Sequence, residues 1–375
     1  MLYARTVANV NYRIVYPFLP AIARGLGVSL EAAGRLVSLQ GGIGLVAPLF
    51  GPLSDSYGRR RMMEVALLVL ALASGMVFFS GSFVPVLFGF AGFGIAKALY
   101  DPAMQAYVGD AVPYARRGRV IAITELAWSF AWLFGVPVAG LLIERGGWRA
   151  PWGIIALLAL IGVLVTRVFL PPARPVSQDG AHNEPVPWHS LLRRAPVRAA
   201  LFTAFGMLFA LENVFIVYGA FLENRFNLAI SAIGIVSIVI GVSELLGEGG
   251  AAAWTDRLGK KRSVIAGLLA FAASLLFLSL LSSHLITVLA GFALAILCFE
   301  YAIVSFLPLM TELAPEARAT LLSMNIAAMG TGRLLAPIVG TTLYTETGSI
   351  FANSLLSASV CILCAVVLGK GVREA

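Results

Sequence analysis

Gly51-Pro-Leu-Ser-Asp55-Ser-Tyr-Gly58-Arg59-Arg60-Arg61 is the stretch from which the fold of this chain is read. It interrupts two long apolar segments. Gly51 and Pro52 end the helix before it, and Asp55 and Arg59 stand four apart, close enough to pair across a tight turn. Three consecutive arginines mark one side of a membrane. Nothing in the stretch has the arrangement of a soluble catalytic motif. The composition agrees: of 375 residues, 59% are hydrophobic and 12% charged. The mean hydropathy is +0.89. A soluble domain carries about 25% charge. Burying this much apolar surface in water would need an implausibly large core, so the solvent around most of the chain is lipid.

The net charge of +8 raises the question of nucleic acid. The basic residues fall in short loops, where they set topology, and no basic face interleaved with aromatics exists, so nucleic acid is not an expected partner. Cys298, Cys361 and Cys364 all lie in apolar helices. Cys361-x-x-Cys364 has redox-motif spacing without the βαβ context that would give it meaning, which leaves packing. His182, His189 and His284 sit in loops or at helix ends with no nucleophile or metal-ligating neighbours. No metal, cofactor or enzymatic activity is expected. Residues 1–25 read as a retained first helix rather than a cleaved signal.

Apolar runs near the length needed to cross roughly 30 Å of hydrocarbon recur between short polar breaks, giving about twelve spans. They are read at 3–24, 32–53, 62–82, 84–110, 118–143 and 150–170, then at 197–222, 229–253, 263–283, 285–312, 317–344 and 348–369. This predicts an all-α membrane protein with an N-terminal six-helix bundle at 1–170, a cytoplasmic linker at 171–196, and a C-terminal six-helix bundle at 197–375. The linker is rich in proline and polar residues, with a short amphipathic piece expected around Trp188 to Arg194. With the N-terminus inside, the inward breaks carry Arg59, Arg60, Arg61, Arg116, Arg117, Arg119, Arg257, Lys260, Lys261 and Arg262. The outward breaks carry few bases, so both termini are predicted to be cytoplasmic and the chain a multi-pass protein of the inner membrane.

The two sets repeat. Asp55-x-x-Gly58-Arg59-Arg60 recurs as Asp256-x-x-Gly259-Lys260-Lys261. Asp110-x-x-Pro113-x-x-Arg116 recurs as Glu312-x-x-Pro315-x-x-Arg318, and Pro137-x-x-Gly140 as Pro337-x-x-Gly340. Three pairs at nearly one offset, about 200 residues, mark a duplicated architecture.

With these motifs in view, the chain resembles the major facilitator superfamily of secondary transporters. Gly51, Leu53, Asp55, Gly58, Arg59 and Arg60 match the pattern Gly-x-Leu-x-Asp-Arg-x-Gly-Arg-Arg/Lys between that family's second and third helices, and Ser56 departs from it. The resemblance implies two pseudo-symmetric six-helix bundles, each of two inverted three-helix units, and alternating access to a substrate held near mid-membrane. It also implies a gate of charge pairs: Asp55 near a helix end, Arg59 with Asp110, and Asp256, Lys260 and Glu312 doing the same in the second half. Gly135, Pro137 and Gly140 resemble in part a proline–glycine motif of the family's antiporter branch, although Val136 and Ala139 break it. The same small residues also let helices pack closely.

Charges inside spans are costly unless they face a cavity or a partner. Lys97 and Asp101 stand four apart on one face and can neutralise each other. Asp101, Glu212 and Glu300 lie nearest mid-helix and are the first candidates for proton coupling. Glu125 and Glu244 follow, nearer helix ends. Candidates for lining a substrate cavity are Arg13, Tyr16, Gln40, Lys97, Tyr100, Trp128, Trp132, Asn213, Tyr301 and Arg333. Five or six acids against three bases predict a slightly negative interior. No Gly-rich loop followed by Lys-Ser/Thr appears, so the proton gradient rather than a nucleotide is the expected drive. The expectation is proton-coupled export of a small amphipathic or cationic compound by a monomer in the bilayer. The alternative is uptake or exchange of an organic anion, a carboxylate, phosphate or lysolipid-like molecule, on Arg13, Lys97 and Arg333.

Overall fold

In hydrocarbon every backbone N–H and C=O must be satisfied within the chain, and an apolar run achieves this alone only as a helix. The computed structural model describes residues 1–50, 57–171, 188–280 and 283–372, and leaves undescribed the side chains of residues 47–50, 114, 115, 118 and 319. Gly51, Leu53 and Asp55 of the predicted gate therefore lie outside the described residues.

The first half runs through α1 (Leu2–Arg13), α2 (Val15–Leu26), α3 (Leu30–Gly42) with a 3₁₀ continuation (Ile43–Phe50), α4 (Arg59–Phe79) and α5 (Phe83–Ala111). It goes on through α6 (Tyr114–Phe130), a π-turn (Ala131–Gly135), α7 (Val136–Gly146) and α8 (Ala150–Phe169). A short α9 (Trp188–Leu192) leads to α10 (Ala195–Phe215), α11 (Tyr218–Phe226), α12 (Ile230–Val236) and α13 (Ile238–Leu258). The last part is α14 (Lys260–Leu280), α15 (Leu285–Leu313), a 3₁₀ turn (Pro315–Ala317), α16 (Arg318–Thr347) and α17 (Ile350–Gly371). Among the described residues ten stretches are long and apolar enough to cross a bilayer. Residues 2–26 and 30–50, read from the sequence as two further spans, are each built of shorter helical pieces.

The breaks inside spans have identifiable causes. A proline lacks an N–H and clashes with the carbonyl four residues before it. Pro17 meets Arg13, the last residue of α1, so the span read as 3–24 is two helices joined at Ile14. Pro137 meets Leu133, and the π-turn there absorbs the misfit. The join of α10 to α11 involves no proline. Asn353 Nδ2 donates to the Asn213 carbonyl (3.0 Å), and the Val217 N–H turns instead to the Val214 carbonyl at 3.4 Å. A side chain has entered the helical ladder.

By packing, the chain forms two compact units: Met1–Gly180 with Leu222–Gly241, and Ala181–Phe221 with Val242–Ala375. In the first, α4 lies against α5 and α8, α1 against α6 and α8, and α12 against α7. In the second, α14 lies against α15 and α17, and α10 against α16 and α17. The repeat read from sequence reappears as geometry within each unit. Gly58 (φ 91°) precedes α4 and Gly259 (φ 88°) precedes α14, a left-handed backbone that favours glycine. One residue on, Arg59 Nε reaches Asp110 Oδ2 at 3.2 Å, and Lys260 pairs with Glu312. Next, Arg60 Nη1 donates to the Leu170 carbonyl (3.0 Å), and Lys261 Nζ to that of Gly369 (2.9 Å). A cation thus meets the last carbonyls of α8 and of α17, where it favours the helix dipole.

Candidate functional site

Helix α1 sorts its residues by face. Arg5, Asn9 and Arg13 recur every four residues and share one side. Arg5 is 3% exposed, so its charge needs neutralising neighbours. Two helices supply them. Arg5 Nη1 lies 2.7 Å from Glu125 Oε1 on α6, and its Nε 3.6 Å from Asp101 Oδ1 on α5. Asp101 Oδ2 is 2.9 Å from Lys97 Nζ, which also donates to Asn9 Oδ1 at 2.8 Å. The chain of contacts runs Glu125, Arg5, Asp101, Lys97, Asn9.

Aromatic rings close the other side. Lys97 Nζ stands 4.1 Å from the centre of the Trp128 ring, and the Arg13 guanidinium 4.6 Å from the same ring. Arg13 is also 5.4 Å from Trp132. Tyr12 meets Trp128 edge-on, with ring centres 6.1 Å apart, and Tyr16 follows at 6.2 Å from Tyr12. Cations over indole faces are held by the ring quadrupole more strongly as water is removed.

The four-residue spacing of Lys97 and Asp101 anticipated their pair; the approach of Trp128 to Lys97 and the part played by Arg5 were not anticipated. Arg5 adds a fourth base to the three read within spans, against the five or six acids. The fourfold spacing of Arg5, Asn9 and Arg13 was the available signal. Other candidates fall nearby or elsewhere. Tyr100 is buried and donates to the Met1 carbonyl at 3.3 Å. Gln40, on α3, is buried with both side-chain polar atoms lacking a hydrogen-bond partner among the described residues. Its carbonyl lies 2.6 Å from where a Cβ would stand on Gly94 of α5.

The second unit carries a separate set. Arg333 Nε on α16 is 3.5 Å from Glu212 Oε1 on α10, which is buried. Asn213 turns away from that pair. Its Nδ2 donates to the Asn353 carbonyl (3.0 Å) and to Ser357 Oγ (2.9 Å), tying α10 to α17. Glu244 is fully buried on α13. Glu300 of α15 packs at Gly247 of α13, where an added Cβ would lie 2.8 Å from the Glu300 Cβ. Tyr301 follows, beside Gly250.

The gate residues within the described regions pair inside their own units, as set out above for Arg59 with Asp110 and Lys260 with Glu312. Asp256 is exposed at the end of α13. A further pair was not foreseen: Arg194, just after α9, meets Glu316 in the 3₁₀ turn before α16. The Glu316 backbone N–H, and then the Arg194 guanidinium, hold that carboxyl below its ordinary range. Among the described residues no cluster of three His, Cys, Asp or Glu is placed to hold a metal ion.

Comparison with known proteins fixes what this architecture is. The sequence profile of the Major Facilitator Superfamily matches residues 1–247 and, overlapping it, 200–374. The chain is 26% identical over 364 residues to the uncharacterized MFS-type transporter YceJ of Bacillus subtilis (strain 168), covering 95% of this chain and 91% of that protein. It is 26% identical over 354 residues to Multidrug resistance protein 2 of the same organism, covering 90% and 86%. Among solved structures a D-xylose–proton symporter superposes with a TM-score of 0.82 at 16% identity, over 100% of this chain and 96% of that one, which shows a shared fold. With ten apolar helical spans among the described residues, duplicated turn motifs and a profile match from end to end, this protein belongs to the Major Facilitator Superfamily and is a membrane transporter, not an enzyme.

Proposed function

We propose that the chain is a proton-coupled exporter of small amphipathic or cationic compounds, working by alternating access in the cell membrane with both termini cytoplasmic. The observation that carries this is the sharing of Arg5 between Asp101 and Glu125, with Lys97 on the far side of Asp101. In a span, a charge is tolerated while its partner stays charged. Protonating Asp101 would leave Lys97 and Arg5 undercompensated and favour a rearrangement of α1 against α5 and α6. Proton uptake is thereby tied to helix movement. The rings of Trp128, Trp132 and Tyr12 already hold cations on their faces, and a lipophilic cation can use the same faces. The likeness to Multidrug resistance protein 2 supports export, and the fold shared with a proton symporter supports the coupling ion.

One observation favours a second reading. Arg13 and Lys97 both stand over the Trp128 ring, at 4.6 and 4.1 Å from its centre, and two cations side by side suit a carboxylate or phosphate. Purified protein in liposomes, with an imposed pH gradient and an internal pH dye, separates the two. Lipophilic cations should provoke proton movement that is lost in Asp101→Asn. Movement provoked only by organic anions, and lost in Arg13→Ala, would replace export of cations with anion transport.

A further inference from the structure

The opposite face of α1 carries no charge and borders a cavity of about 260 Å³. Three apolar stripes enclose it. Helix α1 contributes Tyr3 and the residues three, four and seven positions on, and α8 contributes the same spacing from Pro151. The third wall follows the π-turn into α7, where Phe130, Phe134, Val138 and Leu142 recur every four residues. At Gly135 the wall touches α1 so closely that a Cβ would stand 2.2 Å from a Val10 methyl.

The lining offers nothing for a polar guest. The Tyr3 hydroxyl donates to the Leu158 carbonyl at 2.9 Å, and Thr6 Oγ1 to the Leu2 carbonyl at 3.0 Å. An apolar cavity of this kind stays dry, and an empty one forfeits the dispersion contacts of its walls. Its floor, at Val7 and Ile155, is buried, while its lip is exposed: 64% for Phe134, 51% for Val138 and 40% for Ile154. That lip is continuous with the exposed apolar face of α8, which includes Leu157, Leu160 and Leu164 and is the surface a bilayer covers.

We propose that this cavity is a binding site for one acyl chain of a membrane phospholipid, entering sideways from the bilayer. A cationic cargo has no counterpart for its charge here, since no acid lines the cavity and the nearby carboxylates, Asp101 and Glu125, meet α1 at Arg5 instead. A bare hydrocarbon chain needs none. Filling the groove buttresses α1 against α7 and α8 at the helix whose charged face carries the Arg5 site.

The test uses the purified full chain in liposomes containing a phospholipid with a photoreactive diazirine in its acyl chain, with cross-linked peptides mapped by mass spectrometry. Labelling should concentrate on the facing stripes of α1, α7 and α8. It should be lost in Val138→Trp and in Ile154→Trp, which plug the lip from opposite sides, and retained in Leu164→Trp, which lies outside the groove. Size-exclusion profiles identify any variant that misfolds, and the second plug then decides. Even labelling over all lipid-facing helices, or labelling unchanged by either plug, would overturn the proposal. Displacement of the label by tetraphenylphosphonium would reassign the groove to cargo. None of these readouts depends on transport, so they stand or fall apart from the exporter reading.

Discussion

Arg5 is the residue on which the first unit's charge balance turns. Buried at 3% exposure, it serves two carboxylates on different helices. Removing one partner from a buried ionic group costs about 3–5 kcal/mol, because the remaining charge is left without compensation. Asp101 and Glu125 are partly exposed, at 23% and 35% of their side chains, so the lower end applies. Arg5→Gln should therefore lower stability in detergent by about 3 kcal/mol, and Glu125→Gln alone by less. The double variant should recover part of the loss, because Glu125 no longer needs the guanidinium. Thermal unfolding of the four proteins measures this directly, and strictly additive losses would show that the two residues are not coupled. Lys97 with Asp101 was legible beforehand because both sit on one helix at a spacing that forces contact. Arg5 with Glu125 was not: their meeting depends on how α1 docks against α6, which local spacing does not encode.

Elements differ in the same way. Prolines announce some breaks in advance, and the interruption at Ile14 and the π-turn before Pro137 both follow from the missing N–H and the ring clash. The join of α10 to α11 gave no such signal, because Asn353, a residue of α17, makes it. The glycines of α7 and α12 show what small residues accomplish at contacts. A Cβ on Gly234 would lie 3.1 Å from the Val136 carbonyl and 3.4 Å from the Gly140 Cα, and one on Gly140 would lie 3.1 Å from the Ile230 carbonyl. These neighbours are backbone and yield little. Gly340, the counterpart of Gly140 in the repeat, is as tightly placed, with the Asn213 carbonyl 2.6 Å from its Cβ position. Close packing accounts for these positions without appeal to a transport direction. Gly234→Ala should be tolerated with a small loss, whereas Gly234→Leu should cost about 1–3 kcal/mol by forcing α7 and α12 apart. Thermal unfolding in detergent reads both, and an equally mild effect of leucine would show that the two helices separate freely.

For the molecule as a whole, the duplication was the most legible feature, because a repeated turn motif needs no knowledge of packing to be seen. The structure adds that each copy performs the same local work: a positive-φ glycine, then a cation to an acid, then a cation to a helix end. Asp55 lies outside the described residues, and the ion pairs described among the predicted gate residues are Arg59 with Asp110 and Lys260 with Glu312. The copies are not equal in burial. The side chains of Arg59 and Asp110 are 21% and 19% exposed, while Glu312 is 55% exposed. Ion pairs at a wet rim contribute at most about 1 kcal/mol, and the more exposed pair contributes less. If the pairs open in each cycle of the proposed exporter, that weakness suits them, and their effect should appear in rate rather than in stability. Arg59→Gln and Lys260→Gln should each shift the unfolding free energy by no more than about 1 kcal/mol, the first more than the second. Both should slow turnover in liposomes with no change in the amount of folded protein. Turnover equal to that of the unaltered chain in both variants would reduce these pairs to markers of topology. A loss of folding in either would make them structural struts instead.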